Sequence, residues 1–138
     1  MTESTPQHSL GYRAILVVGA LIMGLFVGSV TTVVHQNVVT IAGIDVPWGL
    51  ALGLIVTLGF LLGLRLLTED RMVTIAAALG LLGMVFLLSQ ESTGGSVLVP
   101  NNIYGTIWAI APTLIAVVVI AWPKLPQRGS TTAPVAAQ

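Results

Sequence analysis

Residues 47–89 read PWGLALGLIVTLGFLLGLRLLTEDRMVTIAAALGLLGMVFLLS. Two apolar runs, 47–67 and 72–89, flank the short charged connection Thr68-Glu69-Asp70-Arg71. A hydrocarbon core about 30 Å thick is crossed by roughly 20 helical residues at 1.5 Å each, so each run is long enough to span a bilayer. The connection predicts a tight, solvated turn between antiparallel helices, with Asp70 placed to cap the second. Outward from this hairpin, two further runs of the same kind lie at 14–34 and 103–122. Lipid offers the backbone no hydrogen-bond partner, so all four runs are expected to be helices; the alternating ten-residue strands of a barrel are not seen.

Composition agrees. Of 138 residues 55% are hydrophobic and 7% charged, against roughly 25% charged in a soluble domain. The mean hydropathy is +0.98. A net charge of zero and five scattered basic residues give no footprint for nucleic acid, which needs clustered Lys and Arg. Cysteine is absent, which excludes disulfides, thiolate catalysis and thiolate metal sites. The expected fold is an all-α, up-down bundle of four transmembrane helices over residues 13–123. Residues 1–12 and 124–138, polar and rich in Pro, Ser and Thr, are expected to be disordered tails.

The basic residues set an orientation. Arg13 precedes the first span, Arg65 and Arg71 flank the central connection, and Lys124 and Arg128 follow the fourth span. The first and third connections contain no Lys or Arg, so the positive-inside rule places both termini in the cytoplasm. Tyr12 and Trp122 then fall at the inner interface and Trp48, Tyr104 and Trp108 near the outer one, where amphipathic rings are favoured. The apolar run 14–34 is longer than the roughly 7–15 residues of a signal-peptide core and lacks a small-x-small cleavage site, so it reads as an uncleaved span.

Helices in lipid approach closely where side chains are small. Gly24 and Gly28 form a GxxxG step in the first span, Gly49/Gly53 and Gly59/Gly63 form two in the second, Ala76 and Gly80 continue in the third, and Gly105 and Ala109 open the fourth. These positions predict either packing within one bundle or an oligomer seam. Pro112, in the middle of the fourth span, predicts a bend, because its ring removes the backbone bond to the carbonyl of Trp108. Thr113 or a neighbouring helix is expected to satisfy the freed carbonyl.

The first connection holds two short β-favouring runs, 38–41 and 44–46, around Ala42-Gly43; the third holds 96–99 between Gly94-Gly95 and Pro100. They read either as strands of a small outer cap or as irregular loops in the headgroup region. Pro100, Asn101, Asn102 and Tyr104 are candidate partner-facing residues of the third connection.

Chemistry is sparse. No ionisable residue falls near the middle of a span, the usual mark of coupling or catalysis in lipid. Arg65, in the last turn of the second span, is expected to anchor the inner interface by snorkelling, with Glu69 one turn on as an ion-pair candidate. His35, Asp45 and Glu91 are the ligand-type residues of the outer connections; their spacing matches no metal motif, and a solvated loop surface is expected for them. Nucleophile elbows, phosphate loops and zinc motifs are missing, and Ser29 and Ser89 have no partner base. No enzymatic activity, cofactor or metal is expected.

The stretch LLSQESTGGSVLVPNNIYGTIWAIAP (87–112), together with IDVPWGLALG and LGLRLL around the second span, resembles small actinobacterial four-span membrane proteins of unknown function. That resemblance implies the plasma membrane of a Gram-positive, high-GC bacterium and carries over no functional residue. Size and span number are also similar to the small multidrug transporters. The coupling glutamate of their first helix has no counterpart here, since residues 14–34 contain no acid. The function expected is that of an accessory, assembly or scaffolding subunit, partnered by lipid and by other membrane proteins or a second copy. The alternative is a small homo-oligomeric transporter or channel for a neutral or lipophilic solute, with Pro112 as hinge and Arg65 at the inner mouth.

Overall fold

The computed structural model describes residues 10–90, 99 and 102–123. Its elements in chain order are α1 (Leu10–Val34), β1 (Val39–Ile41), β2 (Ile44–Val46), α2 (Trp48–Leu67), α3 (Arg71–Ser89) and α4 (Ile103–Ala121). All four helices are long and apolar enough to cross a membrane, and their ends fall within a residue or so of the expected spans except at the start of α1. There the helix begins at Leu10, so Leu10, Gly11 and Tyr12 belong to α1 and not to a tail. Nothing in Leu10-Gly11-Tyr12-Arg13 stops a helix, and Arg13 adds an anchor by donating from Nε and Nη2 to the carboxylate of Asp70. Residues 1–9 and 124–138 lie outside the described part.

Each turn has a local cause. Thr68 ends α2 with both its N–H and its hydroxyl bonded to the carbonyl of Leu64, at 2.9 and 2.6 Å. Asp70 then caps α3, accepting from the N–H of Met72 at 2.9 Å, as its place before the run predicts. Asn102 caps α4 by accepting from the N–H of Gly105 at 2.8 Å. The first connection is a hairpin: β1 and β2 pair antiparallel with Thr40 opposite Asp45. Its turn is Ala42-Gly43, with φ of 52° and 81°, the double positive φ of a tight type I′ turn. All six strand residues are exposed. Of the third connection only Val99 and Asn102 are described, so the run 96–99, Pro100 and Asn101 lie outside the described residues save Val99.

Packing follows residue size. A Cβ on Gly24 would overlap the carbonyl of Ala77, one on Gly28 that of Leu81, and one on Gly80 that of Leu21. Rising numbers on α1 thus meet rising numbers on α3, and the two helices run side by side in the same direction at backbone contact. Gly49 closes on the carbonyl of Val34, so α2 runs against α1. The interior is built largely from small residues, with Ala20, Ala76, Ala77, Ala78 and Ala116 around Leu61, Val73 and Val119, and a second cluster of Leu50, Leu81, Val85 and Trp108. The large side chains point outward: Ile55, Phe26, Phe86 and Leu114 are all exposed. In water such a surface would be one continuous apolar patch; against lipid it is the ordinary outer face of a multi-pass membrane protein.

Candidate functional site

Six polar or charged side chains are buried among the described residues: Thr31, Thr32, His35, Thr57, Arg65 and Thr74. They extend the small-residue stripes of the helices. On α2 the buried positions Gly49, Gly53, Thr57, Leu61 and Arg65 recur every fourth residue. On α1, Gly24, Gly28, Thr31 and Thr32 lead to His35, one residue beyond the helix.

At the hairpin end these residues assemble around Trp108. The indole is fully buried, and Gly53 makes room for it, since a Cβ there would stand 2.8 Å from the ring. Its Nε1–H donates to Thr32 Oγ1 at 3.3 Å. The imidazole of His35 stacks on the indole, with centroids 5.1 Å apart and 13° between planes. His35 Nδ1 lies against the carbonyl of Thr32, which fixes the neutral tautomer with its proton on Nδ1 and leaves Nε2 as an acceptor. Nε2 is buried and meets no donor among the described residues. Burial pushes the His35 pKa down, and the Thr32 carbonyl works in the opposite sense.

This overturns the expectation of a solvated loop surface for His35. The physical reason is periodicity: His35 follows Gly28 and Thr31 at helical spacing, so the last turn of α1 carries it inward. Asp45 is not its neighbour. It sits in the exposed hairpin, accepting from Thr40 Oγ1 at 2.6 Å. Glu91 lies outside the described residues, among which no three His, Asp or Glu gather closely enough for a metal ion.

At the opposite end Arg65 is also turned inward and is only 7% exposed. Its Nη2 donates to the carbonyl of Trp122, just past α4, at 3.1 Å. That bond and the four-residue stripe hold the head group within the bundle. Nε and Nη1, like the hydroxyls of Thr57 and Thr74, have no hydrogen-bond partner among the described residues.

The predicted packing glycines divide into two groups. Gly24, Gly28, Gly49, Gly53 and Gly80 each abut another element, whereas Gly59 and Gly63 have nothing within 4 Å of the position a Cβ would take. Of the third-connection residues, Asn102 caps α4 and Tyr104, half-buried, packs against the Trp108 cluster. Pro112 sits inside α4 without ending it and is fully buried. A cleft of about 450 Å³ between α3 and α4 is lined by Leu82, Val85, Phe86, Ala109 and Thr113, with Ser89 and Gln90 at one end. Both of those polar residues bond back to their own helix, to the carbonyls of Val85 and Phe86.

Comparison with protein-family models, curated proteins and solved structures returns no match for this chain.

Proposed function

We propose that the chain is an accessory, assembly or scaffolding subunit of a membrane complex, an up-down four-helix bundle of the bacterial plasma membrane with both termini cytoplasmic and the hairpin outside. One observation carries the reading: the second GxxxG step of α2 is unused by the bundle. Gly59 is exposed, Gly63 half-exposed, and among the described residues nothing lies within 4 Å of the position a Cβ would take on either, while the Gly24, Gly28 and Gly80 positions are filled by backbone contact. Leu52, Ile55, Val56, Leu62 and Leu66 surround the two glycines with exposed apolar side chains. A small-xxx-small groove flanked in this way suits the approach of another transmembrane helix. The chain has no cysteine, so single substitutions report contacts directly. Gly59→Cys and Gly63→Cys should cross-link to a membrane partner in native membranes, and Gly24→Cys should not. Equal absence of cross-links at all three positions contradicts the reading.

A second reading, a small homo-oligomeric transporter or channel for a neutral or lipophilic solute, is favoured by the buried hydroxyls of Thr57 and Thr74, which have no hydrogen-bond partner among the described residues. Buried polar groups without partners call for water or a polar solute. Solute flux in proteoliposomes that falls in the isosteric Thr57→Val variant supports it; flux unchanged by Thr57→Val and Thr74→Val removes it.

A further inference from the structure

The contact between α1 and α3 is reciprocal. A Cβ on Gly24 would meet the carbonyl of Ala77 and the amide nitrogen of Leu81, and a Cβ on Gly80 would meet the carbonyl of Leu21 and the amide nitrogen of Leu25. Each glycine thus faces the carbonyl three residues before the other and the nitrogen one residue after it. The same register, Gly24 on Gly80, sets Trp48-Gly49 on Tyr104-Gly105, Gly53 on Ala109 and Thr57-Leu58 on Thr113-Leu114 without a gap. The pairs α1–α2 and α3–α4 therefore follow one helical-hairpin pattern.

The second pair departs from the first between its helices. In the first, α2 closes on α1: Gly49 abuts the carbonyl of Val34, and Gly53 and Thr57 are buried. In the second, their counterparts Ala109 and Thr113 are exposed and line the cleft of about 450 Å³ between α3 and α4. The cause is Trp108. Its counterpart Leu52 is exposed, whereas the indole is seated in the core against Gly53 and His35. Turning Trp108 inward carries Ala109 about 100° round the helix and leaves the cleft open. Its lining among the described residues is uncharged, and its two polar residues at the end of α3, Ser89 and Gln90, bond back to their own helix. Such a lining offers no set of polar groups for a hydrophilic solute.

We propose that this cleft holds one acyl chain of a bilayer phospholipid, taken from the leaflet at the hairpin end. Depth decides the occupant. From Gln90, just past the end of α3, to Leu82, the cleft runs about 12 Å at 1.5 Å per residue, close to the roughly 15 Å of hydrocarbon in one leaflet. Beyond Leu82 the two helices close, with Ala78 and Ala116 in one buried cluster against which Leu82 packs. A partner transmembrane helix would need a groove through the full depth of the bilayer, whereas a chain anchored in one leaflet fills half of it. Exposed Phe86 and Ala109 leave the side of the cleft open to lipid, so a chain enters laterally. The site is on the α3–α4 pair and is independent of any partner at Gly59 and Gly63 of α2.

The test is native mass determination of the purified full chain, washed in mild detergent containing dioleoylphosphatidylcholine. Wild type should retain one phospholipid per chain. Ala109→Phe fills the cleft from an exposed position, so it should melt no lower than wild type and retain at least fivefold less lipid. Ile110→Phe, the neighbouring exposed residue outside the lining, should retain as much as wild type. Thr113→Leu, a smaller filling at the deep end, should at least halve retention and gives the same reading if Ala109→Phe folds poorly. Dihexanoylphosphatidylcholine, with the same headgroup on short chains, should be held at least fivefold less well than the dioleoyl lipid. Absence of lipid on wild type, equal retention in Ala109→Phe and Ile110→Phe, or equal retention of the short and long lipids overturns the proposal. A doubled mass that Ala109→Phe abolishes also overturns it, since the occupant would then be a second copy of the chain.

Discussion

The imidazole of His35, at the end of α1, lies flat on the indole of Trp108, in the second turn of α4, 5.1 Å away. The contact ties the first helix to the last at the hairpin end, and Thr32 serves both rings: its carbonyl holds Nδ1 and its hydroxyl accepts from the indole. Gly53 completes the arrangement from α2 by leaving the ring its space.

That arrangement makes stability depend on pH. Burial lowers the His35 pKa below its ordinary 6.5, so the unfolded chain takes up a proton there before the folded chain does. Folding is then linked to proton release, and stability rises with pH through this window. The His35 contribution is complete above about pH 6.5 and is lost as pH falls below that value toward the lowered folded pKa. A detergent melt from pH 8 to pH 5.5 should show the wild-type Tm falling with acid, and the fall should be smaller in His35→Leu. Identical slopes contradict the buried, neutral imidazole.

Gly53→Val tests the same corner by volume. Its side chain must displace the indole, so overpacking should cost about 1–3 kcal/mol and Trp108 fluorescence should shift as the ring moves. Trp108→Phe placed in the same background should recover part of the loss.

Along α1 and α3 the glycines predict opposite outcomes by position. Gly24→Ala and Gly80→Ala bring a methyl into backbone of the facing helix and should sharply reduce the yield of folded protein. Gly19→Ala and Gly83→Ala meet nothing within 4 Å. They should be neutral or stabilising by up to about 1 kcal/mol, as alanine is the better helix former. Thermal melts of the four variants check the contrast.

The hairpin carries its own strain. Ala42 has φ of 52°, a left-handed conformation that costs an L-residue roughly 1–2 kcal/mol. Ala42→Gly should relieve most of this and raise hydrogen-exchange protection of the paired amides in Val39–Ile41 and Ile44–Val46. Unchanged protection would mean that the turn does not limit hairpin stability.

Much of this architecture was legible in the sequence, and the parts that were not share a cause. Uncharged run length located α2, α3 and α4 to within about a residue, because the cost of unsatisfied backbone in lipid leaves no alternative to helix. Asp70 announced its capping role by standing just before an apolar run. Hydropathy does not say which face of a helix turns inward. The sequence therefore could not separate Gly24 and Gly80, which are in backbone contact, from Gly59 and Gly63, which are open. His35 was misplaced for a related reason: it sits just past a span end, where loop exposure is the general rule. The finer signal was present in the four-residue stripe from Gly49 to Arg65 and in the spacing from Gly24 to His35, both of which continue a buried face.

Under the proposed function, the open face of α2 is where another membrane protein would dock. Native mass determination of the tagged protein, extracted into nanodiscs at its native expression level, tests it most directly when wild type is compared with a Gly59→Leu, Gly63→Leu double variant. The expected result is a defined complex for wild type, and a monomer that melts normally for the double variant. A wild-type monomer, or a complex that survives both substitutions intact, would contradict it.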